Sequence, residues 1–332
     1  MGKIIKIALF GIGKMGQNHL RILSMLKDVE VAFLYDVNLE LCESLSKSFG
    51  IKVLENLDED LKDCDGAIIV TPTFTHFDYV NKVSDYVKNI FVEKPLTDTL
   101  DSTQIILDLA KQKSLNIQVG FIERYNPAII TLQNILRDTK IVNIDFTRTN
   151  KMSSRITDVD VVIDLMIHDI DLALHFNGDI ADIYAHGVVM EGMIEYARAC
   201  IIHKNGAFSN IVASRITEKR IRQISVTTHN EYIDCNLLRK EVFVDKQSVE
   251  QRLDSVSISA NTETIEVRGQ ESLFSELLDF VNLCKDSKSH QTPSAPSRIN
   301  TPQSARPNQY DGMKAMQVAY KIQSLIHNAN KS

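Results

Sequence analysis

Apolar residues in the first 122 positions follow two alternating patterns. Nearly continuous apolar runs at residues 4–10 and 29–35 indicate strands that are buried on both faces. The segments between such runs, beginning with residues 15–26, repeat apolar residues at helical spacing. Further helices are predicted at 39–49, 75–87 and 102–112, and further strands at 52–54, 66–70, 90–92 and 117–121. This alternation with short connections predicts an α/β fold, a Rossmann-type doubly wound parallel sheet.

The pattern changes after residue 122. Predicted helices at 127–136 and 161–176 are accompanied by bunched strand-like runs, which are typical of an α+β domain with a mostly antiparallel, open sheet. These runs lie at 141–149, 183–190, 196–203, 207–214, 222–228, 232–236 and 241–244. Residues 287–310 hold four of the seven prolines and predict an extended polar segment between helices at 274–285 and 311–326. The sequence thus predicts one domain over residues 1–122 and a second over 123–332.

The composition fits this division and narrows the function. A length of 332 residues suggests about two domains. The formal net charge of −6 argues against binding to nucleic acid. The five cysteines are odd in number and lack metal-clip spacing, so neither a disulfide framework nor a zinc ribbon is expected. Because neither a signal peptide pattern nor a run of ~20 apolar residues occurs, we expect a cytoplasmic chain with no membrane insertion.

A glycine-rich turn joins the first predicted strand to the first predicted helix. It reads Gly11-Ile12-Gly13-Lys14-Met15-Gly16. Glycines allow a tight turn and let backbone N–H groups approach a pyrophosphate at a helix N-terminus. Asp36 ends the second strand 20 positions later, where its carboxylate can bind ribose hydroxyls and would repel a 2′-phosphate. We therefore predict NAD rather than NADP as the ligand; the alternative is a flavodoxin-like domain whose glycines serve only turns.

Two further patterns carry candidate chemistry. Lys94, in Glu93-Lys94-Pro95, follows a buried strand, where its ammonium can reach a cleft and stabilise a developing alkoxide. The alternative is a lysine that only reaches solvent. On the apolar helix predicted at 161–176, Asp164 and His168 are four residues apart, and His168 suits a general base.

The same helix continues the polar stripe with Asp171 and His175, at i+7 and i+11 from Asp164. For these two residues a buried polar network is the stronger interpretation. A metal site would need ligands from a second cluster of His, Cys or carboxylate residues, and none stands out, so we predict no metal.

Together these motifs resemble the Gfo/Idh/MocA oxidoreductase family. The motifs are the glycine turn followed by His19, Thr71-Pro72-x-x-x-His76, Glu93-Lys94-Pro95, Asp164-x-x-x-His168 and Asp311-Gly312-x-x-Ala315. The resemblance implies Lys94 and His168 as the catalytic pair, with Asp164 beside the substrate. It implies an NAD cofactor contacted by the glycine turn, Asp36, Thr71, Pro72, Thr75, His76, Glu93 and Lys94. It also implies a homodimer or homotetramer formed through the open sheet of the second domain.

Residues 119–127 and 155–164 are more narrowly similar to bacterial UDP-N-acetylglucosamine 3-dehydrogenases. That similarity implies a UDP-sugar substrate, oxidation of its 3-hydroxyl, and a linked aminotransferase in diamino-sugar lipid A biosynthesis. It implies substrate contacts from Arg124, Tyr125, Asn126 and Arg155, beside Lys94, Asp164 and His168. Interdomain salt bridges are an equally weighted interpretation of the two arginines. The match departs at Phe121, where a histidine is expected.

Two alternatives stay open at this point. Another sugar or polyol, such as an inositol or a UDP-sugar uronic acid, fits the same fold. A non-catalytic NAD-binding regulator also fits the fold, although the presence of both Lys94 and His168 disfavours it.

Overall fold

The computed structural model describes residues 4–151, 159–252, 255–289 and 306–330. The chain divides into two compact units, Met1–Tyr125 with Glu271–Lys314, and Asn126–Gln270 with Ala315–Ser332. The predicted fold class is confirmed, with a parallel sheet in the first unit and a mostly antiparallel sheet in the second. Among the described residues, no helix has the length and apolar character needed to cross a membrane.

The first unit is a five-stranded parallel sheet, counted over its described residues, with helices in the connections. Its strands are β1 (Ile5–Phe10), β2 (Val29–Tyr35), β3 (Gly66–Ile69), β4 (Asn89–Glu93) and β5 (Asn116–Gly120), and its helices begin with α1 (Lys14–Met25), α2 (Leu39–Phe49), α3 (Leu57–Asp60), α4 (His76–Val83) and α5 (Leu100–Lys113). The strand order is β2-β1-β3-β4-β5. The chain therefore reverses direction across the sheet between β1 and β3, where parallel sheets of this kind bind ligands at their carboxyl edge.

The strand predicted at 52–54 is reduced to a single bridge. Val53 pairs with Leu34 of β2. Two backbone hydrogen bonds secure it, from Leu34 N–H to the Lys52 oxygen (2.8 Å) and from Leu54 N–H to the Leu34 oxygen (2.9 Å). Three residues at the sheet edge are too few to extend the ladder further.

The second unit is built on an eight-stranded sheet, counted over its described residues. It contains α6 (Pro127–Ile135), β6 (Ile141–Thr149), α7 (Ile167–Asn177), β7 (Ile180–Met190), β8 (Met193–His203), β9 (Phe208–Ser214), β10 (Ile221–Thr228), β11 (Glu231–Asn236), β12 (Glu241–Arg252) and β13 (Ser255–Ile265). The order is β13-β12-β11-β10-β6-β9-β8-β7, with β6 and β9 parallel and the other neighbours antiparallel.

One face of this sheet is buried and the other is open. Along β10 the buried residues alternate, as in Ile224 and Val226, which is the pattern of a sheet with one covered face. Strand β13 was not predicted. Its apolar residues Val256, Ile258 and Ala260 do alternate with serines, but Ser, Thr and Asn make up more than half of the strand and weaken that signal.

The sequence division also differs from the structure after residue 270. Helix α8 (Ser272–Ser289), predicted as part of the second domain, packs in the first unit. Its residues Leu277, Phe280 and Cys284 share a hydrophobic core with Ile5 and Leu20. This apolar face would be exposed if α8 left the parallel sheet. The last helix, α9 (Gln309–Ala329), begins in the first unit and continues in the second.

Candidate functional site

The three glycines of the turn between β1 and α1 differ in why a side chain is absent at each position. Gly11 has φ +85°, and a Cβ there would lie 2.6 Å from the carbonyl carbon of Val70. A Cβ on Gly16 would lie 2.0 Å from the Gly11 oxygen, so glycine lets α1 pack on the turn. A Cβ on Gly13 would meet nothing within 4 Å. Two glycines thus close the turn, and the third faces open space at the start of α1.

This arrangement fits a dinucleotide. Gly13 is the N-cap of α1, and its lack of a side chain leaves the first-turn backbone N–H groups without a side-chain cap. An anionic pyrophosphate is stabilised by such N–H groups and by the helix dipole. Lys14 is exposed and Met15 is half-buried at the same helix start.

Asp36 links the end of β2 to the glycine turn. Its Oδ2 accepts a hydrogen bond from the Ile12 N–H at 2.8 Å, and its Oδ1 accepts one from the Asn38 N–H at 3.0 Å. The carboxylate is half-buried and each oxygen retains acceptor capacity. Its position and charge suit ribose hydroxyls and disfavour a 2′-phosphate.

The loop after β3 is held mainly by its own polar groups. The Thr75 hydroxyl oxygen lies 2.8 Å from the Thr71 hydroxyl oxygen and 2.7 Å from the Pro72 carbonyl oxygen. His76 is 1% exposed, and its ring nitrogens lie 2.9 Å from the carbonyl oxygens of Thr71 and Pro95. Burial lowers the pKa of His76. The ring therefore joins two loops of the protein, and its contact with a cofactor stays a prediction.

Lys94 is half-buried and lies in the segment Glu93-Lys94-Pro95 at the end of β4, which we call the Lys94 corner. Hydrogen bonds fix this corner on both sides of the lysine. On one side, Glu93 Oε1 contacts His19 Nε2 at 3.0 Å, and Glu93 Oε2 accepts the Lys94 backbone N–H at 3.2 Å. A Cβ on Gly120 would lie 2.8 Å from Glu93 Oε2, so glycine makes room for this carboxylate. On the other side, His76 contacts the oxygen of Pro95. Both oxygens of the Glu93 carboxylate thus contact groups of the protein that hold Lys94 in place.

The predicted substrate residues near position 125 are buried. Arg124 is 4% exposed and lies 3.4 Å from Asp311, so this pair is a salt bridge inside the first unit and not the interdomain one that was considered. Tyr125 is 1% exposed and donates to Asp279 Oδ2 at 2.7 Å. Asn126 caps α6 by accepting the Ala128 N–H at 3.1 Å. Each of the three side chains thus has a contact within the protein, their contact with a sugar nucleotide stays a prediction, and Arg155 lies outside the described residues.

A second group of candidate residues lies on the helix that leads into α7. Residues Val162–Met166 form a π-helical turn, with the Ile167 N–H bonded to the Val162 oxygen. Asp160 begins this turn, because its Oδ1 accepts the N–H groups of Val162 (3.0 Å) and Ile163 (3.2 Å). Such turns are frequent at functional sites. Asp164 lies in the π turn and is half-buried.

The π turn changes the stripe that α-helical spacing predicted. His168 and His175 in α7 are half-buried, whereas Asp171 is 1% exposed. Asp169, outside the predicted stripe, is buried and forms an ion pair with the Arg148 guanidinium at 2.7 Å. The wider π turn shifts the register of side chains before α7 relative to those within it. Among the described residues, no group of three or more His, Cys, Asp or Glu is placed to hold a metal ion.

Comparisons with known proteins identify the class of the first unit. Residues 5–121 match the family model described as "Oxidoreductase family, NAD-binding Rossmann fold". The glycine turn, Asp36 and the parallel sheet agree with that class, so the first unit is an NAD-binding Rossmann domain of an oxidoreductase. The matching model is that of the Gfo/Idh/MocA family, and it covers residues 5–121 of this chain.

Two of the similar proteins are named as sugar or polyol dehydrogenases. The chain is 24% identical over 280 residues to a UDP-N-acetylglucosamine 3-dehydrogenase of Acidithiobacillus ferrooxidans, covering 84% of this chain and 88% of that protein. A solved structure of that enzyme has a TM-score of 0.84 at 22% identity and 98% coverage of both chains, which shows the same fold. A scyllo-inositol 2-dehydrogenase (NAD(+)) of Bacillus subtilis is 28% identical over 64% of this chain and 67% of its own length.

Proposed function

We propose that the protein oxidises the 3-hydroxyl of the sugar in UDP-N-acetylglucosamine, with NAD+ as the hydride acceptor. The observation that carries this proposal is the similarity to a UDP-N-acetylglucosamine 3-dehydrogenase over 84% of the chain. The residues of the Lys94 corner and of the Asp164–His168 helix supply the acid–base groups that this chemistry needs.

The first unit supplies the cofactor site. Bound NAD+ would accept a hydride from the reacting carbon. Gly13 and the first turn of α1 would bind the pyrophosphate through backbone N–H groups. Asp36 would accept hydrogen bonds from the ribose hydroxyls, beside the one it accepts from Ile12.

The proton of the sugar hydroxyl has a proposed acceptor and a proposed stabiliser. An imidazole nitrogen of His168 would take the proton, and the Lys94 ammonium would stabilise the negative charge that develops on the oxygen. Asp164, which precedes His168 by four residues, would orient the substrate or the imidazole. The balance is one alcohol and NAD+ giving one ketone, NADH and a proton.

The product class implies a partner. A 3-keto sugar nucleotide is a substrate type for an aminotransferase, and this proposal includes that link and a role in diamino-sugar lipid A biosynthesis. It also includes a homodimer or homotetramer. Tyr184 (56% exposed), Ile202 (36%) and Phe208 (38%) share the open face of the second sheet, because Tyr184 pairs with Cys200 and Ile202 with Phe208. Such apolar exposure favours contact with a second copy.

A second candidate substrate is an inositol. The local identity to the scyllo-inositol 2-dehydrogenase, 28%, exceeds the 24% identity to the UDP-sugar enzyme, although it covers less of the chain. A free polyol would need no diphosphate contacts.

The experiment is a turnover assay on a substrate panel. The purified protein with NAD+ is given UDP-N-acetylglucosamine, scyllo-inositol and a UDP-sugar uronic acid, and reduced nicotinamide absorbance is followed with an aminotransferase that removes the ketone. We expect turnover of UDP-N-acetylglucosamine in the wild type, and its loss in Lys94→Ala and His168→Ala with NAD+ binding retained. The exposed Lys82→Ala and His186→Ala are matched controls that should leave turnover unchanged. Full turnover in both catalytic variants would refute the assigned roles, and turnover of inositol alone would refute the substrate.

A further inference from the structure

A buried polar cluster lies on the face of the parallel sheet that α1 and α8 cover. We call it the Glu276 cluster; its residues are His19, Gln118, Tyr125, Glu276 and Asp279. Gln118 Nε2 lies 3.1 Å from the Tyr125 hydroxyl oxygen and 3.3 Å from the Glu276 backbone oxygen. These contacts connect β5 to α8 in the first unit.

The cluster shares its sheet face with Glu93, beside Lys94. Gln118 and Gly120 are two apart on β5, so their side-chain positions face the same way. The Gly120 Cβ position points at the Glu93 carboxylate, which places Glu93 on that face. Phe91, two residues before Glu93 on β4, contacts the His19 ring at a centroid distance of 5.4 Å. The Phe91 ring also contacts Phe280, at 5.8 Å, and Phe280 follows Glu276 by about one turn of α8.

Several buried atoms of this cluster lack hydrogen-bond partners among the described residues. They are both side-chain oxygens of Glu276, Oε1 of Gln118 and Nδ1 of His19. Glu276, Gln118 and His19 are each 0% exposed. A buried carboxylate without hydrogen bonds is very costly, whereas the protonated acid has a donor to offer. Gln118 Oε1 and, in one tautomer, His19 Nδ1 are acceptors.

The charges around Glu276 favour its neutral form. The nearby acids are Glu93 and Asp279, and both raise the pKa of Glu276, after burial, which is the largest cause. Asp279 lies 2.5 Å from the Arg306 guanidinium, and Glu93 Oε1 lies 3.0 Å from His19 Nε2. The pKa of Glu276 is held well above its usual range, and Glu276 also raises the pKa of Tyr125.

We propose that Glu276 carries a proton in the folded protein at neutral pH and is a positioning residue that acts on Lys94 through Glu93. A neutral Glu276 adds no charge to the face on which the Glu93 carboxylate contacts His19 and accepts the Lys94 backbone N–H. An ionised Glu276 would add a second negative charge to this face and disturb that arrangement. The positioning role rests on the function proposed for Lys94, whereas the protonation of Glu276 does not.

The protonation arm needs no substrate. Glu276→Gln keeps the shape and hydrogen bonding of the acid but cannot ionise. A group whose pKa is raised on folding stabilises fully below its unfolded pKa and loses that contribution as pH rises towards its folded pKa. The difference in Tm, Glu276→Gln minus wild type, should therefore increase by about 3 °C per pH unit from pH 5 to 8. Glu43→Gln, an exposed glutamate on α2, is the matched control and should show a constant difference. Parallel Tm curves for Glu276→Gln and the wild type would overturn the proposal, as would an infrared spectrum at neutral pH without a protonated carboxyl band that Glu276→Gln removes.

The positioning arm compares the wild type with Glu276→Gln as the pH rises, because only the wild type can gain a negative charge at position 276. From neutral pH to about pH 10 we expect the ratio of kcat, Glu276→Gln over wild type, to rise about tenfold on whichever sugar of the panel the wild type oxidises, with the same Kd for NAD+ in both proteins. The acetylation rate of Lys94 by acetic anhydride, read by mass spectrometry, should diverge between the two proteins over the same range. A constant ratio of both quantities would overturn the positioning role. A wild type that oxidises no UDP-sugar would refute the proposed function alone, because the acetylation, Tm and infrared readouts still decide the role of Glu276.

Discussion

The ion pair between Arg148 of β6 and Asp169 of α7 offers a sharp test of how the second unit holds its helix. Arg148 Nε and one terminal nitrogen donate to the two Asp169 oxygens at 2.8 and 2.7 Å. Both side chains are almost fully buried, at 4% and 2% exposed. Asp169 directly follows His168, so this pair fixes the helix that carries the proposed base.

The cost of breaking the pair depends on which partner is removed. Losing one partner of a buried pair costs about 3–5 kcal/mol, because the other charge is left buried. Arg222 lies opposite Arg148 in the β10–β6 register and is also buried. Asp169→Leu would leave two arginines side by side, so we expect about 5 kcal/mol, whereas Arg148→Met removes one of those arginines and should cost about 3 kcal/mol. The double variant, with an apolar pair, should cost less than about 2 kcal/mol.

Hydrogen exchange read by mass spectrometry suits this test. The chain has two units, so a single global unfolding curve would mix their stabilities. Peptides covering β6 and α7 report the opening free energy of the second unit, and peptides covering β1 serve as an internal control that should not change. Additive costs in the double variant, or equal costs in the two single variants, would refute this reasoning.

Four other expectations follow from single residues. Asp36→Asn removes a negative charge near the ribose position, so the preference for NAD over NADP in kcat/KM should fall by about 1–3 kcal/mol, or 5- to 150-fold. Gly16→Ala places a Cβ 2.0 Å from the Gly11 oxygen, so calorimetry should show NAD+ affinity reduced by at least about tenfold. Ile202→Arg on the open sheet face should lower the oligomer mass seen by light scattering if that face joins copies. Burial raises the pKa of Cys64 to about 12, so iodoacetamide at pH 8 should label it only after denaturation.

The fold was predictable from the sequence wherever the apolar residues of a segment followed a single periodicity, either that of a helix or that of a strand. Strand β1 and helix α1 were predicted within a few residues, because a run buried on both faces and a helical stripe are distinct signals. Helix α8 was predicted as a helix at the right place in the chain but was assigned to the second domain, whereas it packs in the first unit. Its apolar face matches any sheet, and sequence carries no sign that its partner is β1, more than 250 residues earlier.

The candidate site was predictable in its backbone and less so in its side chains. Glycines at Gly11 and Gly16 mark close approaches that only glycine allows, so the sequence signal was direct. The direction that Tyr125 faces depends on its hydrogen bond to Asp279, which is 154 residues away. The π turn before α7 is likewise set by backbone hydrogen bonds that residue types do not encode.

Glu93 and His76, two polar residues of the motifs in the first unit, form hydrogen bonds with other residues of the same motifs. Glu93 joins His19 to the Lys94 backbone, and His76 joins the Thr71 and Pro95 carbonyls. Groups fixed in this way need no reorganisation when charge develops, and that preorganisation is the main source of electrostatic stabilisation in active sites. These hydrogen bonds therefore fix the backbone that carries Lys94. A change in them, such as ionisation of a buried neighbouring residue, should lower turnover before it weakens NAD binding.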